Sequence, residues 1–397
     1  MTDFAKTKSF FNLPDGVIYL DGNSLGPLPL KAVERVAEVM QQEWGQQLIG
    51  GWNQCGWMQQ PEQVGDRLGR LIGAVPGTVV MGDTLSIKVY QALAAAVAIN
   101  PDRRVILSDT GNFPTDLYMA QGLVKSFGGD YRLKVVESAE IEANLDESIA
   151  ALLLTQVDYR SGRIFPMQEI TRKAHNNGII TVWDLAHSAG AIPVDLTEAD
   201  ADFAVGCTYK YVNGGPGAPA FIYVAPRYIE TALPVLSGWL GHDAPFDFDP
   251  DYRPAPSISR MRVGTPPVLA LAVLDAALDI WEGIDMADVR QKSIELSELF
   301  IREVEARCPE LILASPRNAN HRGSQVSFHC EHGYAVMQAL IDRQVIGDFR
   351  APDIIRFGFT PLYVTVSDVT AAAVMLEQIL QQKLWDRPAY HERRAVT

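Results

Sequence analysis

Between about residues 60 and 260 the chain alternates short β-branched apolar runs with stretches whose apolar positions recur at helical spacing, the pattern of a mostly parallel α/β sheet. The runs at 78–81, 104–107, 133–136, 151–154, 179–183 and 203–205 are predicted strands, and runs so poor in polar residues imply cover on both faces. Helices are predicted over 86–99 and 167–176. From about Asp285 the pattern changes to a long amphipathic helix over 289–306, followed by strands at 325–328 and 354–359. That reads as a smaller α+β unit packed with the N-terminal arm. The division expected is an arm over 1–58, a large domain over 59–280 and a small domain over 281–397, with no internal repeat.

In a parallel sheet of this kind ligands gather beyond the carboxyl ends of the strands, and the polar residues of interest fall there. Thr84, Leu85 and Ser86 follow one predicted strand and open a helix, Asn112 to Asp116 follow another, and Thr155 and Asp184 each directly follow a strand. A helix N-terminus at Ser86 offers unpaired amides and a hydroxyl to a phosphate, the plain alternative being an N-cap.

One strand after Asp184 comes Lys210, set between Tyr209 and Tyr211 and followed by Asn213-Gly214-Gly215-Pro216-Gly217. An Asp ending one strand and a Lys just after the next is the arrangement needed to hold pyridoxal 5'-phosphate. The amine forms the Schiff base, and the carboxylate keeps the pyridine nitrogen protonated so that the ring accepts electrons. Most lysines are solvated surface charges. Aromatic neighbours and a glycine turn favour an amine whose charged form is disfavoured.

Composition narrows the picture. A net charge of −14, from 34 basic and 48 acidic residues, argues against nucleic-acid or anionic-membrane partners. No apolar run approaches the ~20 residues that span a bilayer, and the first residues lack a secretion-signal layout, so a cytoplasmic location is expected. Cys55, Cys207, Cys308 and Cys330 form no Cys-x-x-Cys pair, as suits a reducing compartment. His329-Cys330-Glu331-His332 lacks further spaced ligands and reads as a polar turn, so no metal is expected. Trp52 and Trp57, beside Gly50 and Gly51, are core filler or a cover for a flat aromatic substrate.

Six segments, read together, resemble kynureninase. They are Tyr19-Leu20-Asp21-Gly22-Asn23-Ser24-Leu25-Gly26, Gly111-Asn112-Phe113-Pro114-Thr115-Asp116-Leu117-Tyr118, Asp184-Leu185-Ala186-His187, Gly206-Cys207-Thr208-Tyr209-Lys210-Tyr211, Gly238-Trp239-Leu240-Gly241-His242 and Arg356-Phe357-Gly358-Phe359-Thr360-Pro361-Leu362-Tyr363. The likeness runs from about residue 10 to the C-terminus, in order, with a local departure at residues 81–85.

The resemblance implies a fold type I pyridoxal-phosphate enzyme, with a mostly parallel seven-stranded sheet in its large domain and a small α+β domain. It implies hydrolysis of L-kynurenine, and of its 3-hydroxy derivative, to anthranilate or 3-hydroxyanthranilate and L-alanine in tryptophan catabolism. By position it implies Leu85 and Ser86 at the phosphate, Phe113 stacked on the ring, Asp184 at the pyridine nitrogen with Asp116 nearby, and Thr155 and His187 beside the cofactor. Lys210 is the Schiff-base lysine, and Tyr209 has phosphate and acid/base duties. Trp239 and Thr265 complete the phosphate site of a homodimer, at least one of them from the second subunit. Asn23, Trp52 and Arg356 surround the substrate, with Arg356 on its α-carboxylate. Structural alternatives stand beside these: Phe113 as core, Asp116 as an N-cap, Trp239 as packing, Arg356 as an ordinary ion pair. A cysteine desulfurase or class V aminotransferase shares the fold and the Asp-to-Lys spacing, and a non-catalytic binding module is the third reading.

Overall fold

The computed structural model describes residues 2–393. Seven strands build the larger sheet: β1 (Val79–Met81), β2 (Val105–Asp109), β3 (Arg132–Val136), β4 (Ile149–Thr155), β5 (Ile180–Asp184), β6 (Phe203–Gly206) and β7 (Phe221–Val224). Their order is β3-β2-β4-β5-β6-β7-β1, with β7 antiparallel to both neighbours and the other pairs parallel. Side chains alternate across the sheet. Leu152 and Leu154 enter one apolar cluster, while Leu153 joins Val182, Val205 and Ile222 in another, with Val89, Leu93 and Val97 of helix α1 (Leu85–Ile99).

All six expected strands are present, with ends shifted by a residue or two. Cover on both faces fails for β3, which lies at the sheet edge and is only half-buried or exposed. One strand of this sheet and one helix escaped the pattern. β7 is a four-residue run behind a Gly/Pro-rich segment, too short for periodicity to separate from loop. The helix over Pro114–Phe127, α2, was likewise not foreseen beyond its opening polar residues.

The smaller sheet runs β8 (Ile312–Leu313), β9 (Gln325–His329), β11 (Ile354–Gly358), β10 (Asp348–Arg350), antiparallel throughout. Helix α3 (Met286–Arg307) supplies Phe300, whose ring lies 4.9 Å from Phe357 and 5.2 Å from Phe359. The N-terminal arm joins this unit: Ile18–Tyr19 pairs in parallel with Val345–Ile346, and the Gly358 amide donates to the Leu20 carbonyl at 2.7 Å. The tryptophan segment is a short helix, Gly51–Gln54, rather than an open loop. Trp57 is core, donating to Glu43 at 2.7 Å, and Trp52 packs edge-on against it at 5.6 Å.

Candidate active site

Strands β4 and β5 end in register, Thr155 opposite Asp184, so two polar groups from neighbouring strands meet at the carboxyl rim. Asp184 is fully buried. Its Oδ1 accepts from the Ala186 amide at 2.7 Å, and its Oδ2 lies 3.5 Å from the Thr155 hydroxyl, which donates more closely to Asn112 Oδ1 at 2.5 Å. Asp116 enters from the first turn of α2. It is not the N-cap, a position held by Phe113, and it is buried beside Asp184 with its Oδ2 lacking any partner. Burial, then the Asp184 charge, pushes the Asp116 carboxyl well up; burial raises Asp184 too, opposed by Lys210. Two desolvated carboxyls with an unused oxygen form a site that a protonated heterocyclic nitrogen completes. The residues therefore fit a pyridinium.

Lys210 lies across the rim, half-buried, its Nζ 2.9 Å from His187 Nε2 and 5.8 Å from the Tyr209 ring centre. His187 is buried and held far below the usual histidine range by desolvation, then by Lys210 and Arg356. Burial and the neighbouring Cys207 hold the Tyr209 phenol above its ordinary value, so it remains a proton donor at neutral pH. Phe113 is partly exposed, its ring edge-on to Tyr159 at 5.1 Å, so the core-filler alternative does not describe it.

The phosphate end is expected at α1. Thr84 caps the helix, accepting from the Ile87 amide at 3.5 Å, so Ser86 is not the N-cap. The first-turn amides of Leu85 and Ser86 have no intrahelical acceptor, and both residues are half-buried. Beneath them the fully buried Lys88 donates to Asp83, Gln91 and the Met261 carbonyl at 3.1, 2.9 and 3.0 Å.

Other expected residues lie apart. Trp239 and Thr265 are exposed, and among the described residues neither makes a hydrogen bond or ring contact with Lys210, Asp184 or Ser86. Trp52 belongs to the arm. Asn23 is fully buried with both amide atoms unpartnered, its Oδ1 lying over Gly358, where a Cβ would meet it at 2.1 Å. Arg356, on β11, is fully buried and paired with Asp348 through Nε at 2.8 Å and through Nη2; Nη1 donates to the Tyr159 carbonyl, and Nη2 also reaches Ser24 Oγ at 3.1 Å. Sequence reasoning placed Asn112 at the rim but missed Asp348, Arg350 and Gln325 as members of this constellation. These three are brought in by sheet pairings that no local spacing reveals.

The kynureninase C-terminal domain family matches residues 289–376. A kynureninase of Pseudomonas fluorescens is 48% identical over 99% of this chain and 96% of its own length. Among solved structures, a cysteine desulfurase of Thermococcus onnurineus NA1 superposes with a TM-score of 0.81 at 19% identity, covering 96% of this chain and 99% of that one. A C-DES mutant with glycine covalently linked to its PLP cofactor superposes at 0.80 and 19%, over 95% and 99%. Those two likenesses establish the fold type I architecture, while the closeness in sequence settles the lineage within it: the chain belongs to the kynureninase family.

Proposed function

We propose that this chain is a pyridoxal-phosphate-dependent hydrolase that cleaves L-kynurenine, and its 3-hydroxy derivative, to the corresponding anthranilate and L-alanine. The observation that carries the reading is Lys210 on a neutral His187 across the rim from the buried Asp184–Asp116 pair, in a chain 48% identical to a kynureninase over nearly its whole length. The bound cofactor supplies an aldehyde for amines and a cationic ring that withdraws electrons from the substrate α-carbon.

The chain's own groups do the rest. Asp184, with Asp116 behind it, retains the ring N–H and stabilises its charge. The α1 amides and the Ser86 hydroxyl take the phosphate dianion. Lys210 would hold the cofactor aldehyde and, as a free amine, would take the substrate α-proton. Water adds its oxygen at the γ-carbonyl carbon, the Cβ–Cγ bond breaks, and a proton goes to Cβ; Tyr209, kept protonated, relays protons there. Arg356 and Arg350 both contact Asp348, so two guanidiniums face one carboxylate held ionised by them against its burial. The surplus positive charge receives the substrate α-carboxylate, beside Asn23. Trp52 is read near the substrate ring, Phe113 on the cofactor face, and Thr155 beside the cofactor.

The exposed apolar residues Trp44, Leu48, Ile49, Phe246 and Phe248 support a homodimer, with Trp239 and Thr265 completing the phosphate site, at least one of them from the second subunit. The arm over 1–58, the cofactor domain over 59–280 and the small domain over 281–397 are the working units. No described helix is long and apolar enough to cross a membrane, and cytoplasmic operation in the kynurenine pathway of tryptophan catabolism fits the four unpaired cysteines. Desulfurase chemistry needs a mobile thiol near the lysine, yet Cys207, Cys308 and Cys330 are buried with raised thiol pKa. The test is an absorbance scan of the purified protein followed by addition of kynurenine. A yellow cofactor band and fluorescent anthranilate are expected; a colourless preparation that cannot be reconstituted sinks the reading.

A further inference from the structure

Gln325 opens β9 of the smaller sheet and is fully buried, yet its side chain reaches the rim of the larger one. Its Nε2 donates to two carbonyls, Asp158 at 3.1 Å and Tyr159 at 2.9 Å, and its Oε1 lies 2.9 Å from His187 Nδ1. A primary amide has two N–H groups, and both are used. Turning the amide over would set its oxygen against two carbonyl oxygens, so the network fixes the orientation. An oxygen facing Nδ1 requires a hydrogen on that nitrogen. The other nitrogen, Nε2, is then a bare acceptor, and it stands 2.9 Å from Lys210 Nζ.

We propose that Gln325 is a positioning residue for the lysine chemistry: it locks His187 as the Nδ1–H tautomer and so presents a lone pair at Nε2 to Lys210. The inference rests on the function proposed above and names a residue that acts through another. The imidazole's surroundings favour the same state. Lys210, Arg356 and Arg350 face it as cations and Tyr211 packs edge-on at 6.5 Å, so charge as well as burial opposes a second proton. The Tyr159 carbonyl that receives the Gln325 amide also receives Arg356 Nη1, and the Tyr159 ring abuts Phe113. One amide thus aligns the lysine partner, the carboxylate-binding guanidinium and the aromatic residue at the cofactor face.

The experiment uses the holoenzyme labelled with 15N-histidine, together with Gln325→Met and Gln325→Glu. In the unaltered enzyme His187 should show a protonated Nδ1 and an unprotonated Nε2 at neutral pH. Gln325→Met keeps the side chain's bulk but loses acceptor and donors; kcat should fall on the order of 10–100-fold, as when the partner that orients a functional histidine is removed, with KM moving less and the visible cofactor band retained. Gln325→Glu adds an anion at Nδ1, so the acid limb of the kcat/KM profile should move to higher pH. An Nε2–H tautomer in the unaltered enzyme, an unmoved limb in the Glu variant, or a Met variant with normal kcat and pH profile overturns the proposal. Should the Met variant fail to fold, the tautomer and the Glu profile decide. An unaltered protein with no visible band refutes the cofactor reading instead, which keeps the two failures apart.

Discussion

Asp348 holds Arg356 on two nitrogens, Nε and Nη2, with both side chains 1% exposed to solvent. A buried guanidinium stays charged, and removing one partner strands the other. For Arg356→Ala, Asp348 keeps Arg350 at 2.8 Å and the Ser24 hydroxyl at 2.6 Å, so the loss should sit near the lower end for a broken buried pair, about 3 kcal/mol in urea unfolding. The same variant should lose kcat/KM for kynurenine by roughly a hundredfold, the equivalent of a charge-assisted contact to the substrate carboxylate. A stability loss with unchanged kinetics would make Arg356 a purely structural ion-pair member.

Lys210→Ala should abolish the visible absorption of lysine-bound cofactor and steady turnover together. Its amine makes one hydrogen bond, to His187, and a looser contact with the Tyr209 ring, and it is half-buried at the rim, so the unfolding midpoint should move little. Retained turnover would refute the assignment.

Asp184 separates a cofactor role from a turn-capping one. It does accept the Ala186 amide at 2.7 Å, and if that were all, Asp184→Ala would cost about 1 kcal/mol of stability with little kinetic effect. The pairing with Asp116 instead predicts weakened cofactor retention on dialysis and a kcat lower by at least about a hundredfold.

Asp21 makes stability depend on pH. Burial, then the charge of Asp348, raises its carboxyl from 3.8 to about 7. A carboxyl that holds its proton more tightly when folded favours the native state below the unfolded value, and that contribution is lost as pH climbs from about 4 to about 7. Asp21→Asn should therefore match the parent near pH 4 and exceed it in stability at pH 8. Urea midpoints at the two pH values measure this; equal midpoints at pH 8 would show that Asp21 ionises freely in the native protein.

The alternating α/β text and the rim residues were legible because a parallel sheet concentrates its chemistry at strand ends, and Thr155, Asp184 and Lys210 each sit just past an apolar run. The Arg356 end, proposed to bind the carboxylate, was not. Asp348 lies on a three-residue strand with no periodicity to read, and Gln325 is an unremarkable polar residue at the start of a short alternating strand until β9 is set against the larger sheet. Trp239 and Thr265, at least one of them expected from a second subunit, could be named only through family likeness, since exposed positions carry no local signature of what covers them.

The pairing of Ile18–Tyr19 with Val345–Ile346 carries a consequence for biogenesis. During synthesis Ile18–Tyr19 must wait, unpaired, until Val345–Ile346 has left the ribosome, while β1 to β7, which lie between them, can already assemble. Because Asn23 and Ser24 follow directly on that late-zippering strand, the corner they form with Asp348 and Arg356, proposed above to receive the substrate carboxylate, should be the last part of the site to take shape.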